Sequence, residues 1–236
     1  MYTVEQIDPR TTALIVVDMQ NDFVAPGAPL ESPAGRAMVP HLNQALACCR
    51  QHGIPVIYTA HVHRPGGYDQ GLLAHDARIG RGEALVDGSP GGAIFSEVTP
   101  RDGEIVISKH RFDAFFGTDL EIILRGLGVT TVVITGVTTE NCCQATARGA
   151  FFRDFQVIFL SDATATGDYP DLGYGSMSAE EVHRATLVVL ARDTADVITT
   201  EAFISRVATA PDVDNSLAAV LANGIMPATR QAALVQ

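Results

Sequence analysis

The chain has 236 residues, 47% of them hydrophobic, with 27 acidic against 16 basic side chains and a formal charge of −11. That length is enough for one α/β domain with a core on both faces of a sheet. The acidic balance argues against nucleic acid or an anionic membrane as partner, because phosphate contacts need clustered Lys and Arg, and no run of about eighteen apolar residues offers a membrane span.

The opening "MYTVEQIDPRTT" has neither a basic start nor an apolar signal core, so a soluble, unexported, cytoplasmic protein is expected. Six short apolar, β-rich runs then follow in order: "TALIVVD", "IPVIYTA", "EIVIS", "TTVVIT", "FQVIFLSD" and "ADVIT". Helix-like segments at 35–52, 117–127, 139–153 and 178–193 separate most of them. Continuous apolar strands alternating with helices predict a single-domain, doubly wound parallel β-sheet of about six strands with helices on both faces. The exception is 61–103, rich in Gly, Pro and His and without a clear period; a connection of that length in a compact domain is usually functional. The Ala-rich end, 208–236, is expected to be an oligomer-packing helix or a frayed tail outside the 1–207 domain.

Ligands of an open parallel sheet bind beyond the carboxyl ends of its strands. Polar residues at those ends are Asp18, Lys109, the stretch Thr138 to Cys143, and Asp162. Four cysteines fall in two adjacent pairs, Cys48–Cys49 and Cys142–Cys143, which close no useful disulfide loop and lack metal-type C-x-x-C spacing. The first pair reads as small buried hydrophobes of an amphipathic helix. In the second, Cys143, Ala147, Ala150 and Phe151 are spaced as a stripe facing the sheet, which leaves Cys142 about 100° away. The free N–H groups of a helix start would then lower the pKa of Cys142.

A carboxylate beside such a thiol can take its proton and return it to a leaving nitrogen, and an ammonium stabilises both anions. Taken singly, Asp18 reads equally as a turn cap and Lys109 as a solvated strand end. Their placement at one sheet edge with Cys142 is what points to chemistry.

The segments "ALIVVDMQNDF" (13–23), "ISKHRFDAFFGTDLEIILRGLGV" (107–129), "GVTTENCCQATARGAF" (136–151) and "VIFLSDATAT" (157–166) resemble the isochorismatase-like cysteine hydrolase superfamily across about 11–207. The resemblance implies a catalytic triad of Asp18, Lys109 and Cys142. It also implies a cis peptide between Val137 and Thr138 that turns the N–H groups of Thr138 and Cys142 into an oxyanion hole. Isochorismatases proper lack the nucleophilic cysteine, which is present here. Nicotinamidases of the superfamily carry a metal site after the second strand, with aspartate two residues before histidine; here "YTAHVHRPGGYDQGLLAHD" puts His61 in place of that aspartate. No metal or other cofactor is therefore expected, and His61, His63 and His75 are read as anchoring the loop or touching substrate, with His61 and His63, joined by Asp69 and His75, the candidates if a metal bound. The segments look most like the metal-independent amidases and ureide hydrolases, such as ureidoacrylate and biuret hydrolases.

The resulting expectation is a cysteine-dependent hydrolase of a linear C–N bond in a small amide or ureide, working as a homo-oligomer, dimer or tetramer. Phe23, Arg111, Phe112, Phe115 and Thr139 are the candidate pocket residues. The alternatives are a metal-dependent nicotinamidase-type amidase, a thiol redox sensor using Cys142 and Cys143, and a catalytically silent binding protein.

Overall fold

The computed structural model describes residues 2–208; the expected segment beyond the domain lies, from residue 209 onward, outside them. Six parallel strands form one sheet: β1 (Thr12–Val17), β2 (Val56–His61), β3 (Ile105–Lys109), β4 (Thr131–Val137), β5 (Gln156–Ala165) and β6 (Asp196–Ile198). Their order across the sheet is β3-β2-β1-β4-β5-β6. The chain winds outward from β1 in one direction and returns to β4 to wind in the other, which makes the β1/β4 junction the topological switch point.

Every residue of β1, β2 and β4 is buried, and the pleat divides them between two cores. Leu14 and Val16 pack with Leu42, Leu46 and Phe203 on one face. Ala13, Ile15 and Val17 pack with Leu124, Ala147, Ala150 and Leu190 on the other. A strand covered on both sides has no solvent face, so its sequence shows no polar alternation. Each such Leu, Ile or Val contributes roughly 1.5–3 kcal/mol of burial.

Around the sheet run α1 (Asn21–Val24), α2 (Pro33–Ala37), α3 (Val39–Gln51), α4 (Ala77–Gly80), α5 (Leu120–Gly126), α6 (Gln144–Phe151), α7 (Ala179–Asp193) and α8 (Thr200–Ala208). The helix expected over 35–52 is interrupted at Met38, and α3 starts anew with Pro40 in its first turn, where the missing N–H costs nothing. Ser178 and Glu181 close a reciprocal capping box on α7. Phe151, placed on the buried stripe by its spacing, is instead 38% exposed at the last residue of α6, its ring edge-on to that of Phe152.

The connection 61–103 carries two short 3₁₀ turns and α4. It is tied down from the β1 end: the Gln20 amide donates to the carbonyls of His61 and Gly92 and accepts from the His61 N–H, and the Asp22 carboxylate accepts from Leu85 N–H. β5 loses its pairing register with β4 after Phe159 and regains it at Thr164. The extra residues between direct Asp162 away from the switch point, where it accepts from the N–H and hydroxyl of Thr200 and caps α8. No helix of the described residues is long and apolar enough to cross a membrane.

Candidate active site

The register of the sheet sets the site. Val17 is level with Thr59 and with Gly136, and His61 is level with Lys109, so the residues that follow β1 and β4 and end β2 and β3 share one edge. Asp18 leaves β1 at φ 49°, a left-handed conformation that Asp tolerates better than most residues. Gly136 has φ 106°, and a Cβ there would collide with the carbonyl of Val17. Glycine is thus required where β4 passes closest to the end of β1.

At this edge the Lys109 ammonium lies 2.7 Å from Asp18 Oδ2 and 3.3 Å from Cys142 Sγ, and donates to the Arg111 carbonyl at 2.9 Å. The Thr59 hydroxyl donates to Asp18 Oδ1 at 2.6 Å. Asp18 and Lys109 are fully buried and Cys142 is 3% exposed. Burial alone would pull the Lys109 pKa down, but the Asp18 carboxylate and the Cys142 sulfur hold it above its ordinary value. Lys109 is therefore a buried cation with two anionic neighbours, and not a solvated strand end.

The Cys142 thiol differs from the sequence expectation. Burial pushes its pKa up; Lys109 pulls it down and the Asp18 carboxylate pushes it up again. The shift runs opposite to the low pKa expected of a helix start, because desolvation outweighs the pull of the ammonium. The surroundings thus favour the neutral thiol over the thiolate.

The peptide between Val137 and Thr138 is cis. Beyond it, Thr139–Cys143 forms a wide π-type turn in which the Cys143 N–H reaches back five residues to the Thr138 carbonyl. The turn opens directly into α6 and lets the two thiols diverge. Cys143 Sγ points inward toward the Thr135 carbonyl in the core, while Cys142 lines a cavity of about 830 Å³.

Of the candidate pocket residues, Phe23 and Phe112 line this cavity, as does Thr138 of the expected oxyanion hole. Arg111, Phe115 and Thr139 do not. The Arg111 guanidinium donates to the carbonyls of Asp69 and His110. Phe115 stacks on Phe155 in the core, under the Arg153 guanidinium. Thr139 is fully buried with its hydroxyl 2.8 Å from His183 Nδ1. All three sit within a few residues of the site in sequence, but the local turns direct their side chains elsewhere. His61 stands 3.9 Å from Cys142 Sγ through Nδ1, and burial followed by the nearby Lys109 charge keeps it neutral, its pKa well below the usual histidine value. Sequence reasoning missed Thr59 and Tyr169, and placed Glu140 and Asn141 at the sheet edge without giving them a role. Thr59 had a signal, being the polar residue next to the end of an apolar strand; Tyr169, in an irregular loop, had none.

The histidines do not gather as a single donor set. His75 is exposed, with Nδ1 on the Leu72 carbonyl. His63 and Asp69 instead come together with His110, their donor atoms all within 4.8 Å. Two of the three are already engaged: His110 Nδ1 is 2.6 Å from the Val62 carbonyl, and Asp69 accepts from the backbone and guanidinium of Arg64.

The fold is a doubly wound α/β sheet with a cluster of buried ionisable groups at its switch point. The isochorismatase domain family matches residues 12–202, and the chain belongs to that family. It is similar to Nicotinamidase 3 of Arabidopsis thaliana, 33% identical over 80% of this chain and 86% of that one. Ureidoacrylate amidohydrolase RutB of Methylobacterium radiotolerans is 34% identical over 77% of this chain and 73% of its own length. Among solved structures, a cysteine hydrolase from Pseudomonas syringae pv. phaseolicola superposes with a TM-score of 0.83 at 32% identity, covering 89% of this chain and 99% of that one. The protein is an isochorismatase-family amidohydrolase, acting on carbon–nitrogen bonds.

Proposed function

We propose that the protein hydrolyses a linear C–N bond in a small amide or ureide through a thioester on Cys142, releasing ammonia or an amine. The observation that carries this reading is the buried Lys109 ammonium in contact with both the Asp18 carboxylate and the sulfur of Cys142, which lines the cavity. Asp18 removes the thiol proton as sulfur attacks the substrate carbonyl, and Lys109 stabilises the negative charge passing between them. The oxyanion lies against the N–H groups of Thr138 and Cys142, the hole that the family resemblance implies. Asp18 then gives its proton to the leaving nitrogen. A water deprotonated by the same carboxylate opens the thioester and restores acid and thiol.

The divergence of the two thiols speaks against a Cys142–Cys143 redox pair. A cytoplasmic homo-oligomer completes the proposal, supported by large exposed apolar side chains such as Ile122, Phe152 and Val188. The test is ammonia release from a panel of carboxamides, ureides and carbamoyl amines, with Cys142→Ala as control. Turnover should be lost in the mutant, and acid quenching of the wild type should trap an acyl adduct on the peptide carrying Cys142. Equal turnover by the two proteins would defeat the reading.

A further inference from the structure

Three polar atoms at the cavity are buried without a hydrogen-bond partner: Nε2 of His61, Oε2 of Glu140 and Oγ1 of Thr166. His61 is 1% exposed and lines the cavity beside the nucleophile. It holds its Nδ1 edge toward sulfur, which leaves Nε2 as a spare site for a substrate group. A buried ring nitrogen left unmatched costs about 1–3 kcal/mol, so its natural complement is a ligand atom. Glu140 is the residue two before Cys142. Its Oε1 accepts from the Tyr169 hydroxyl at 2.8 Å and from Asn141 Nδ2 at 3.1 Å, and neither of these carries a charge.

The charge lining the cavity is one-sided. Four carboxylates border it, Glu31, Asp76, Glu140 and Asp168, against one guanidinium, Arg78. Arg78 is already paired through two nitrogens with Asp76 and donates to the Pro29 carbonyl. Glu31 pairs with Arg36, and Asp168 caps α7 by accepting from the Ala179 N–H. Among the described residues that line the cavity, no Lys or Arg is left to meet a substrate carboxylate. Lys109 is not among the lining residues and is engaged with Asp18.

We infer that this site selects amides or ureides whose remainder is neutral or cationic and rich in N–H donors, and discriminates against those carrying a carboxylate. Glu140 sets the charge preference, and His61 is a positioning residue that accepts an N–H of the scissile amide through Nε2. This rests on the amidase reading above and narrows it. An anionic tail such as the acrylate of a ureidoacrylate would meet uncompensated negative charge, a juxtaposition that disfavours the wrong ligand strongly in a partly desolvated site.

The test uses three primary amides of similar length: pentanamide, 4-aminobutanamide and succinamate, which differ in carrying no charge, an ammonium or a carboxylate. In each, attack by Cys142 forms the thioester, releases one ammonia and consumes one water. The full chain should show kcat/KM for succinamate at least about ten-fold below the other two. Glu140→Gln keeps the acceptor for Tyr169 and removes the charge; it should narrow the gap between 4-aminobutanamide and succinamate by about ten-fold, chiefly through KM. His61→Phe should raise KM for all three, and His61→Gln, which keeps an acceptor, should recover part of the loss. Succinamate turned over as well as the others, or a ratio unmoved by Glu140→Gln, would overturn the inference while leaving the amidase reading intact. Turnover of none of the three amides, nor of any ureide in the wider panel, would overturn both.

Discussion

Replacing Lys109 by methionine keeps most of the side-chain volume and removes the charge. The ammonium is fully buried and contacts Asp18 Oδ2, Cys142 Sγ and the Arg111 carbonyl. The substitution therefore leaves the Asp18 carboxylate buried with the Thr59 hydroxyl but without a counter-charge. Breaking a buried pair by removing one partner costs about 3–5 kcal/mol, which for a chain of this size lowers Tm by about 6–20 °C. The same ammonium stabilises the forming thiolate, and a close opposite charge is worth about one to three pKa units, or roughly 1.4–4 kcal/mol. Lys109→Met should accordingly lower kcat/KM by about ten- to a thousand-fold. Thermal melts and ammonia-release kinetics read the two effects separately, and the double variant Asp18→Asn/Lys109→Met separates their causes. With both charges gone, about half or more of the lost stability should return, since neutral replacement of a buried pair is often close to costless. Turnover should stay lost because no base remains. A single mutant that melts like wild type and turns over within about three-fold of it would show that the ammonium neither neutralises Asp18 nor supports the thiolate.

Iodoacetamide should label Cys142 before Cys48, Cys49 and Cys143, because Cys142 alone lines the cavity, and labelling should be slow near neutrality and accelerate with pH as the buried thiol ionises; peptide mapping that found Cys143 first would contradict the turn geometry. Stability should fall on acidification below about pH 6.5: burial holds His61, His63 and His183 below the unfolded value, so the unfolded chain takes up protons that the folded chain refuses. Each such group steepens the loss by up to about 1.4 kcal/mol per pH unit until its folded pKa is reached, and His61→Gln should flatten the slope of Tm against pH; an unchanged slope would mean that His61 does not contribute. Turnover should survive dialysis against chelator, since His61 occupies the position where a metal-type site would place aspartate. Activity that vanished and returned with zinc would instead make His63, Asp69 and His110 a donor set.

The arrangement of the sheet was written in hydrophobicity. β1, β2 and β4 are buried on both faces, and only continuous β-branched and aliphatic runs satisfy that condition, so their existence, type and parallel direction follow from local pattern. Asp18, Lys109 and Cys142 were legible for a related reason: each is a polar or reactive residue ending or following such a run, and in a parallel sheet those ends share one edge. Side-chain direction was not legible. Arg111, Phe115 and Thr139 lie within a few residues of the reactive groups, yet the turns after β3 and β4 aim them at backbone carbonyls, at Phe155 and at His183. Nor could spacing give the protonation of Cys142, which depends on how completely the cavity floor excludes water and on a carboxylate more than a hundred residues away in sequence. Tertiary packing decided those properties, because desolvation and charge pairing are set by the residues that surround a group in space, while strand and helix periods are set by its neighbours along the chain.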